Sequence, residues 1–131
     1  MTFRASLVIV ACTLIAVGCG GEDGPSSPSG GGGGNDGTIA ATLTITSTGI
    51  SPRTVTVPIG SRVTIVNNDT QIHNMNSDPH PEHTNCPALN LGVLSVGQSR
   101  TSQNLTTARN CGIHDHDRPD TASLQATIAV Q

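Results

Sequence analysis

The sequence is almost without aromatic residues and contains no lysine. Its 131 residues include no Trp, no Tyr and one Phe, and its six cationic side chains, all arginines, are outnumbered by nine acidic ones. Nucleic-acid binding normally requires a basic surface, and unpaired bases usually stack on aromatic rings. We therefore expect no nucleic-acid partner.

The sequence also lacks stretches in which apolar residues recur at helical spacing. Short alternating runs rich in β-branched residues are present instead, separated by Pro, Gly and Asn-Asp turn signals. This pattern predicts an all-β fold, a small antiparallel β-sandwich, for a single domain over residues 38–131. Between the strands, residues 77–90 form a polar, proline-containing loop, with one helical turn expected after Pro87. The predicted strands cover residues 41–46, 54–57, 62–66, 101–105, 107–111 and 124–130.

Residues 1–18 are predicted to be a signal peptide. An apolar run of about a dozen residues follows Arg4, which suits an export signal and is too short to cross a membrane comfortably. It ends in Ala16-Val17-Gly18-Cys19, which resembles the lipobox of bacterial lipoproteins. That resemblance implies a lipidated Cys19 and an exported protein anchored by lipid to a bacterial membrane, facing the periplasm or the cell surface. An ordinary secretory signal is the alternative.

Residues 19–37 are predicted to be a flexible linker, because they consist mainly of Gly, Ser and Pro. A linker of this length has a root-mean-square reach of roughly 20–25 Å. Cys12 leaves with the signal peptide, so Cys86 and Cys111 are the cysteines that remain beside Cys19. In an oxidising compartment, two cysteines can form a disulfide or one of them can bind a metal. The residues alone leave both possibilities open.

All the histidines lie in one third of the chain, between residues 73 and 116. Imidazole is a common ligand for copper and zinc, so this clustering indicates a metal site. Two of the histidines fall in the predicted polar loop, which favours a functional loop over a simple connection. The five candidates are His73, His80, His83, His114 and His116.

Two segments of the sequence resemble cupredoxins. In that family a strand, a Val-x-x-Gly turn, a second strand and an Asn-Asn-Asp run lead to the first copper histidine. Residues 50–73 have this order, ending in Asn67-Asn-Asp-Thr-Gln-Ile-His73. The run Cys111-Gly-Ile-His114 resembles the C-x-x-H ligand loop before the final strand. The resemblance covers residues 38–131 and implies a Greek-key, cupredoxin-like sandwich that binds copper.

Carried over residue by residue, the resemblance makes His73 and His114 imidazole ligands and Cys111 a thiolate ligand. Cys111 would end a strand, and the following turn would return His114 to the same ion. A trigonal His₂Cys set with a weak axial ligand is typical of copper proteins that carry single electrons. The resemblance thus implies electron transfer to a redox partner protein, or copper holding, at the membrane. We expect a metal-binding protein or carrier rather than an enzyme.

The sequence departs from the family pattern, which supports a second interpretation. No methionine follows His114, and His116 and the segment 78–86 are additional. In the second interpretation Cys86 and Cys111 form a disulfide, and copper, or zinc as the second candidate, is held by histidines alone, with Asp78 or Asp115 as further candidates. The functions considered are then superoxide dismutase-like chemistry or metal storage. The third interpretation is a surface interaction module without metal.

Overall fold

The computed structural model describes residues 37–131. The expected signal peptide, the lipidation of Cys19 and the linker up to residue 36 lie outside the described residues. Within the part that is described, no helix has the length and apolar character needed to cross a membrane. Short 3-10 helices cover Pro87–Leu89 and Ala122–Leu124. The strands are β1 (Ile39–Thr46), β2 (Gly49–Ser51), β3 (Thr54–Val57), β4 (Arg62–Asn67), β5 (His73–Ser77), β6 (Gly92–Leu94), β7 (Ser99–Thr101), β8 (Arg109–Asp115) and β9 (Ala126–Val130).

The strands form two sheets, which confirms the predicted β-sandwich. One sheet has the order β2-β1-β4-β7 and the other the order β3-β9-β8-β5-β6. Most pairs are antiparallel, but β1 pairs with β4, and β3 with β9, in parallel. The antiparallel expectation did not include these pairs. The first of them arises because the chain changes sheet after β2, so that β4 returns beside β1 in the same direction.

The core between the sheets is built from aliphatic side chains that alternate along the strands. In β4, for example, Val63 and Ile65 are fully buried while Thr64 and Val66 are only partly so. Burial stabilises by about 25 cal/mol per Å² of apolar surface, and aliphatic residues each contribute less area than aromatic ones. A disulfide between Cys86 and Cys111 lies in this core. The cross-link therefore adds to a modest hydrophobic contribution.

Two strands next to each other differ from the sequence expectation. β5, His73–Ser77, falls in a polar run that was not predicted as a strand, and β8 continues to Asp115 rather than ending at Cys111. The two strands pair antiparallel, with Asn76 opposite His114. Because this pairing keeps β8 extended to Asp115, it determines which side chains of β8 lie on the same face of the sheet. The composition of the candidate site follows from that.

Candidate metal centre

The two faces of β8 have different chemistry. Successive side chains of a strand point to opposite faces. Cys111 and Ile113 belong to the buried core, and Asp115 is fully buried on the same side. His114 therefore points to the outer face of the sheet, and His116 follows it two residues later just beyond the strand. The strand presents two imidazoles outward, side by side.

The segment 78–86 lies over this outer face and covers it. The Asp78 amide donates a hydrogen bond to the Gly112 carbonyl at 2.9 Å, and the Arg109 guanidinium donates to the Asn85 carbonyl at 2.7 Å. The segment ends at Cys86, whose disulfide with Cys111 brings the two Cα atoms to 5.7 Å. Both ends of the segment are thus attached to β8, and the histidines between them are held above the strand.

Four histidines meet where the segment crosses β8. One nitrogen of each ring lies within 4.8 Å of the corresponding nitrogens of the others. His114 is buried, two of the rings are half-buried, and His80 is exposed. Five of the six pairs of rings have centroids 4.8–5.7 Å apart. The group consists of His80, His83, His114 and His116.

His114 is oriented by a carboxylate and leaves one nitrogen without a partner. Its Nδ1 lies 2.7 Å from Asp78 Oδ1 and donates to it. Its Nε2 is buried and has no hydrogen-bond partner among the described residues. A buried polar atom without a partner costs about 1–3 kcal/mol unless something binds it. Histidines that bind metals commonly donate their other N–H to a carboxylate in this way. Nε2 of His114 is therefore suited to be a metal ligand.

The contact between Asp78 and His114 depends on Gly112. A Cβ atom at position 112 would overlap the carboxylate of Asp78. Gly112 therefore leaves the space in which the carboxylate lies against β8. From the sequence, Asp78 was expected only as a further ligand, and Gly112 was not expected to have a role. A glycine inside a strand often marks a close approach of another group. The position of Gly112 in the strand could therefore have indicated this contact from the sequence.

His83 is oriented by the backbone. Its Nδ1 donates to the Ser77 carbonyl at 2.7 Å, which leaves Nε2 directed into the group, 2.7 Å from His116 Nδ1. The residue has a φ of 54°, a left-handed conformation that residues other than glycine adopt uncommonly. Its carbonyl accepts a hydrogen bond from the Asn90 side chain at 2.9 Å. These contacts fix both the backbone and the tautomer of His83.

The donor set fits a single metal ion. Two imidazole nitrogens bound to one ion at about 2.0–2.1 Å lie at most about 4.2 Å apart. The nitrogens lie within 4.8 Å of one another, so shifts of under an ångström would bring all of them to bonding distance. Neutral imidazoles suit copper, zinc, iron and nickel, and among divalent ions nitrogen sites favour copper over zinc. The residues present therefore fit copper, with zinc second.

His73 lies outside this group, in a buried network of charged residues. Its Nδ1 is 2.9 Å from Asp115 Oδ2, and its Nε2 is 3.1 Å from Asp69 Oδ2. Arg118 donates from Nε to the same Asp115 oxygen at 3.1 Å. Both ring nitrogens of His73 thus face carboxylates, and neither points toward the four-histidine group.

Hydrogen bonds and nearby charge lower the pKa of both Asp115 and Asp69. Burial alone would raise the pKa of Asp115, but hydrogen bonds from the Asn74 amide and His73, with the charge of Arg118, more than offset it. The Thr70 amide is the largest cause that lowers the pKa of Asp69, and His73 adds to it against a smaller effect of burial.

The structure does not bring together the trigonal set of His73, Cys111 and His114. Cys111 is bonded to Cys86 and offers no thiolate, and His73 is held by carboxylates. The physical reason is the length of β8. The predicted set needs a strand that ends at Cys111, whereas in a continuing strand residues 111 and 114 point to opposite faces. The disulfide and the four clustered histidines instead match the second interpretation, without His73.

The charged network predicts a specific acid sensitivity of the metal-free protein. Because the pKa of Asp69 is lower in the folded than in the unfolded chain, its ionised form stabilises the fold above about pH 4. That contribution is lost as the pH falls through the folded-state pKa. We expect Asp69→Asn to flatten the decline in stability below pH 4, measured by urea unfolding. The exposed Asp120→Asn removes the same charge as a control, and parallel curves for wild type and Asp69→Asn would contradict the prediction.

The sandwich and its strand order give the described domain a cupredoxin-like fold. Among solved structures, the chain is similar to a purple cupredoxin from Nitrosopumilus maritimus, with a TM-score of 0.58, 18% identity, and coverage of 70% of this chain and 99% of that one. It is also similar to plastocyanin from Dryopteris crassirhizoma, with a TM-score of 0.53, 16% identity, and coverage of 69% and 99%. An amicyanin mutant gives a TM-score of 0.52 at 18% identity, covering 72% and 83%. No family model matches the sequence, and neither does any curated protein.

Proposed function

We propose that the protein is an exported copper-binding protein that holds one copper ion on four histidines. The observation that carries the proposal is the convergence of four imidazole nitrogens within 4.8 Å, one of them the buried and unpartnered Nε2 of His114. The similarity in fold to proteins named as cupredoxins supports copper over zinc. When bound, copper would supply a centre that can change oxidation state by one electron.

Each residue of the proposed site has a separate task. His114 and His83 present Nε2, because Asp78 and the Ser77 carbonyl accept the proton on Nδ1 of each ring. His116 follows on the same face of β8 and meets His83, and its amide donates to the Asn74 carbonyl at 2.7 Å. These contacts hold three ligands in place before any ion arrives.

The disulfide favours copper holding over the electron-transfer function of a thiolate site. The intense colour and the redox tuning of blue-copper centres depend on a Cu–thiolate bond. Cys86 and Cys111 are joined to each other, so the described residues contain no cysteine able to form that bond. We therefore infer a pale, histidine-only copper centre whose task is to hold the ion at the membrane.

The proposed location follows from the N-terminal sequence. The apolar run, the small residues before Cys19 and the Gly-rich stretch that follows support a lipid-anchored protein in which residues 19–37 hold the domain away from the membrane surface. Metabolic labelling with a radioactive fatty acid tests this part separately. Label that persists in Cys19→Ser would contradict it.

Copper titration of the oxidised protein tests the site. We expect one equivalent of Cu(II), an electron paramagnetic resonance spectrum split by several nitrogens, and no intense visible band. His114→Gln should weaken binding by more than the roughly 10–100-fold that is typical for loss of an outer hydrogen-bond partner, because it removes a ligand. His73→Gln is the matched control, since it replaces the histidine outside the group, and circular dichroism would verify that both variants fold. A strong visible band, or loss of copper from His73→Gln alone, would contradict the proposal.

A further inference from the structure

The four proposed ligands differ in how firmly the protein holds them. Asp78 holds the buried His114, the Ser77 carbonyl holds His83, and a backbone hydrogen bond and contact with His83 hold His116. His80 is exposed, its ring contacts the other three rings, and it makes no hydrogen bond to the described part of the chain. One of the four ligands therefore lacks the outer partner that fixes a metal-binding histidine.

His80 lies on the solvent side of the site, so this is the side on which a ligand can leave the ion. It lies between Pro79 and Pro81, in the exposed part of the segment that crosses β8, while the opposite side of the group is closed by the buried His114. When His80 moves away, it loses its contacts with the other three rings but breaks no hydrogen bond to the described part of the chain. An ion on this site would then keep three ligands and expose one coordination position to solvent.

Given the copper site proposed above, we propose that His80 is the exchangeable ligand and that copper passes to or from an imidazole donor on another molecule, such as a histidine of a second copper protein. In the exchange, the bond from copper to the His80 nitrogen breaks and a bond to the incoming imidazole nitrogen forms. Both donors are neutral, so the oxidation state of copper does not change. The remaining three ligands retain the ion until the partner supplies further donors.

Imidazole complementation of the oxidised, full-length protein tests this role. We expect His80→Ala to bind one equivalent of Cu(II) with an altered electron paramagnetic resonance spectrum, and free imidazole to restore the wild-type spectrum. His114→Ala is the matched comparison, because its position is only 2% exposed, and imidazole should not restore binding there. Glu82→Ala, an exposed change in the same segment, should leave the spectrum unchanged.

The rate of copper transfer provides the second measurement. Copper should leave the wild-type protein for an excess of chelator faster as the imidazole concentration rises, since imidazole competes with His80. In His80→Ala the metal should leave faster than in the wild type without imidazole. A wild-type spectrum in His80→Ala, or complete loss of copper from it as from His114→Ala, would overturn the role of His80. Failure of the wild-type protein to bind copper would instead overturn the four-histidine site itself.

Discussion

The double variant Cys86→Ser, Cys111→Ser is expected to lose about 3 kcal/mol of unfolding free energy on the chain-entropy model of a disulfide. The bond closes a loop with a sequence separation of 25 residues. For a domain of under a hundred residues, that loss corresponds to a fall in Tm of roughly 12–24 °C. The measurement is thermal and urea unfolding in the absence of metal. This loss is a large fraction of the stability that a domain of this size usually has.

Reduction of the wild-type protein is the control for this variant. Chemical reduction breaks the same bond but keeps both sulfur atoms in the core, so it separates the lost cross-link from the exchange of Cys for Ser. The reduced protein and the double variant should unfold at similar denaturant concentrations. A double variant that is as stable as the oxidised wild type would contradict the prediction.

The same bond should also support copper binding. It joins Cys86, three residues after His83, to Cys111, three residues before His114. Each cysteine is thus beside one of the two ligand-bearing segments. Without the bond, binding an ion must also order the segment 78–86, so we expect weaker copper binding at temperatures where the variant is folded. Isothermal titration on folded samples measures this loss separately from stability.

Gly112→Ala is expected to weaken copper binding by about 10–100-fold, the usual cost of removing an outer partner of a metal-binding histidine. The added methyl group would overlap the Asp78 carboxylate and displace it from His114. The Nδ1 proton of His114 would then lose its acceptor, and the ring its orientation. Alanine is less unfavourable than glycine inside a strand, so the metal-free variant should fold. The measurement is competition for Cu(II) against a chelator of known affinity.

A double-mutant cycle with Asp78→Ala tests this cause. If Gly112→Ala acts by displacing Asp78, then adding it to Asp78→Ala should cause little further loss, because the carboxylate is already gone. Losses that multiply in the double variant would show that the methyl group acts by another route. Wild-type affinity in Gly112→Ala would show that the carboxylate does not support the site.

The sequence predicted the bounds of a strand correctly where local preference and tertiary structure agree. β3 begins and ends as predicted, and β4 and β9 nearly so, because alternating β-branched residues form strands and bury one face. The helical turn after Pro87 was also predicted. The clustering of histidines in one third of the chain predicted a site, since no structural role requires so many imidazoles together.

The extent of β5 and β8 could not be predicted from local preference. β5 reads His-Asn-Met-Asn-Ser, and its buried His73 and Ser77 are stabilised by hydrogen bonds rather than by apolar contacts. Beyond Cys111, β8 has only Ile113 as a β-branched residue. The two strands exist because they pair with each other, and because β8 also pairs with β9 and β5 with β6. Tertiary pairing therefore decided strand length, and strand length decided which ligands face one another.

Side chains alternate strictly along β8, so the features carried by residues 111–116 depend on the register of this run as well as on its amino acids. Insertion or deletion of one residue just before this run would shift its register by one, turning the imidazoles toward the aliphatic interior and the sulfur and carboxylate toward the surface. The cross-link, the buried charges and the imidazole group would then be lost together, although every participating amino acid would still be present. Point substitutions in this strand can affect one of these features at a time, whereas a frame shift of the backbone affects all of them.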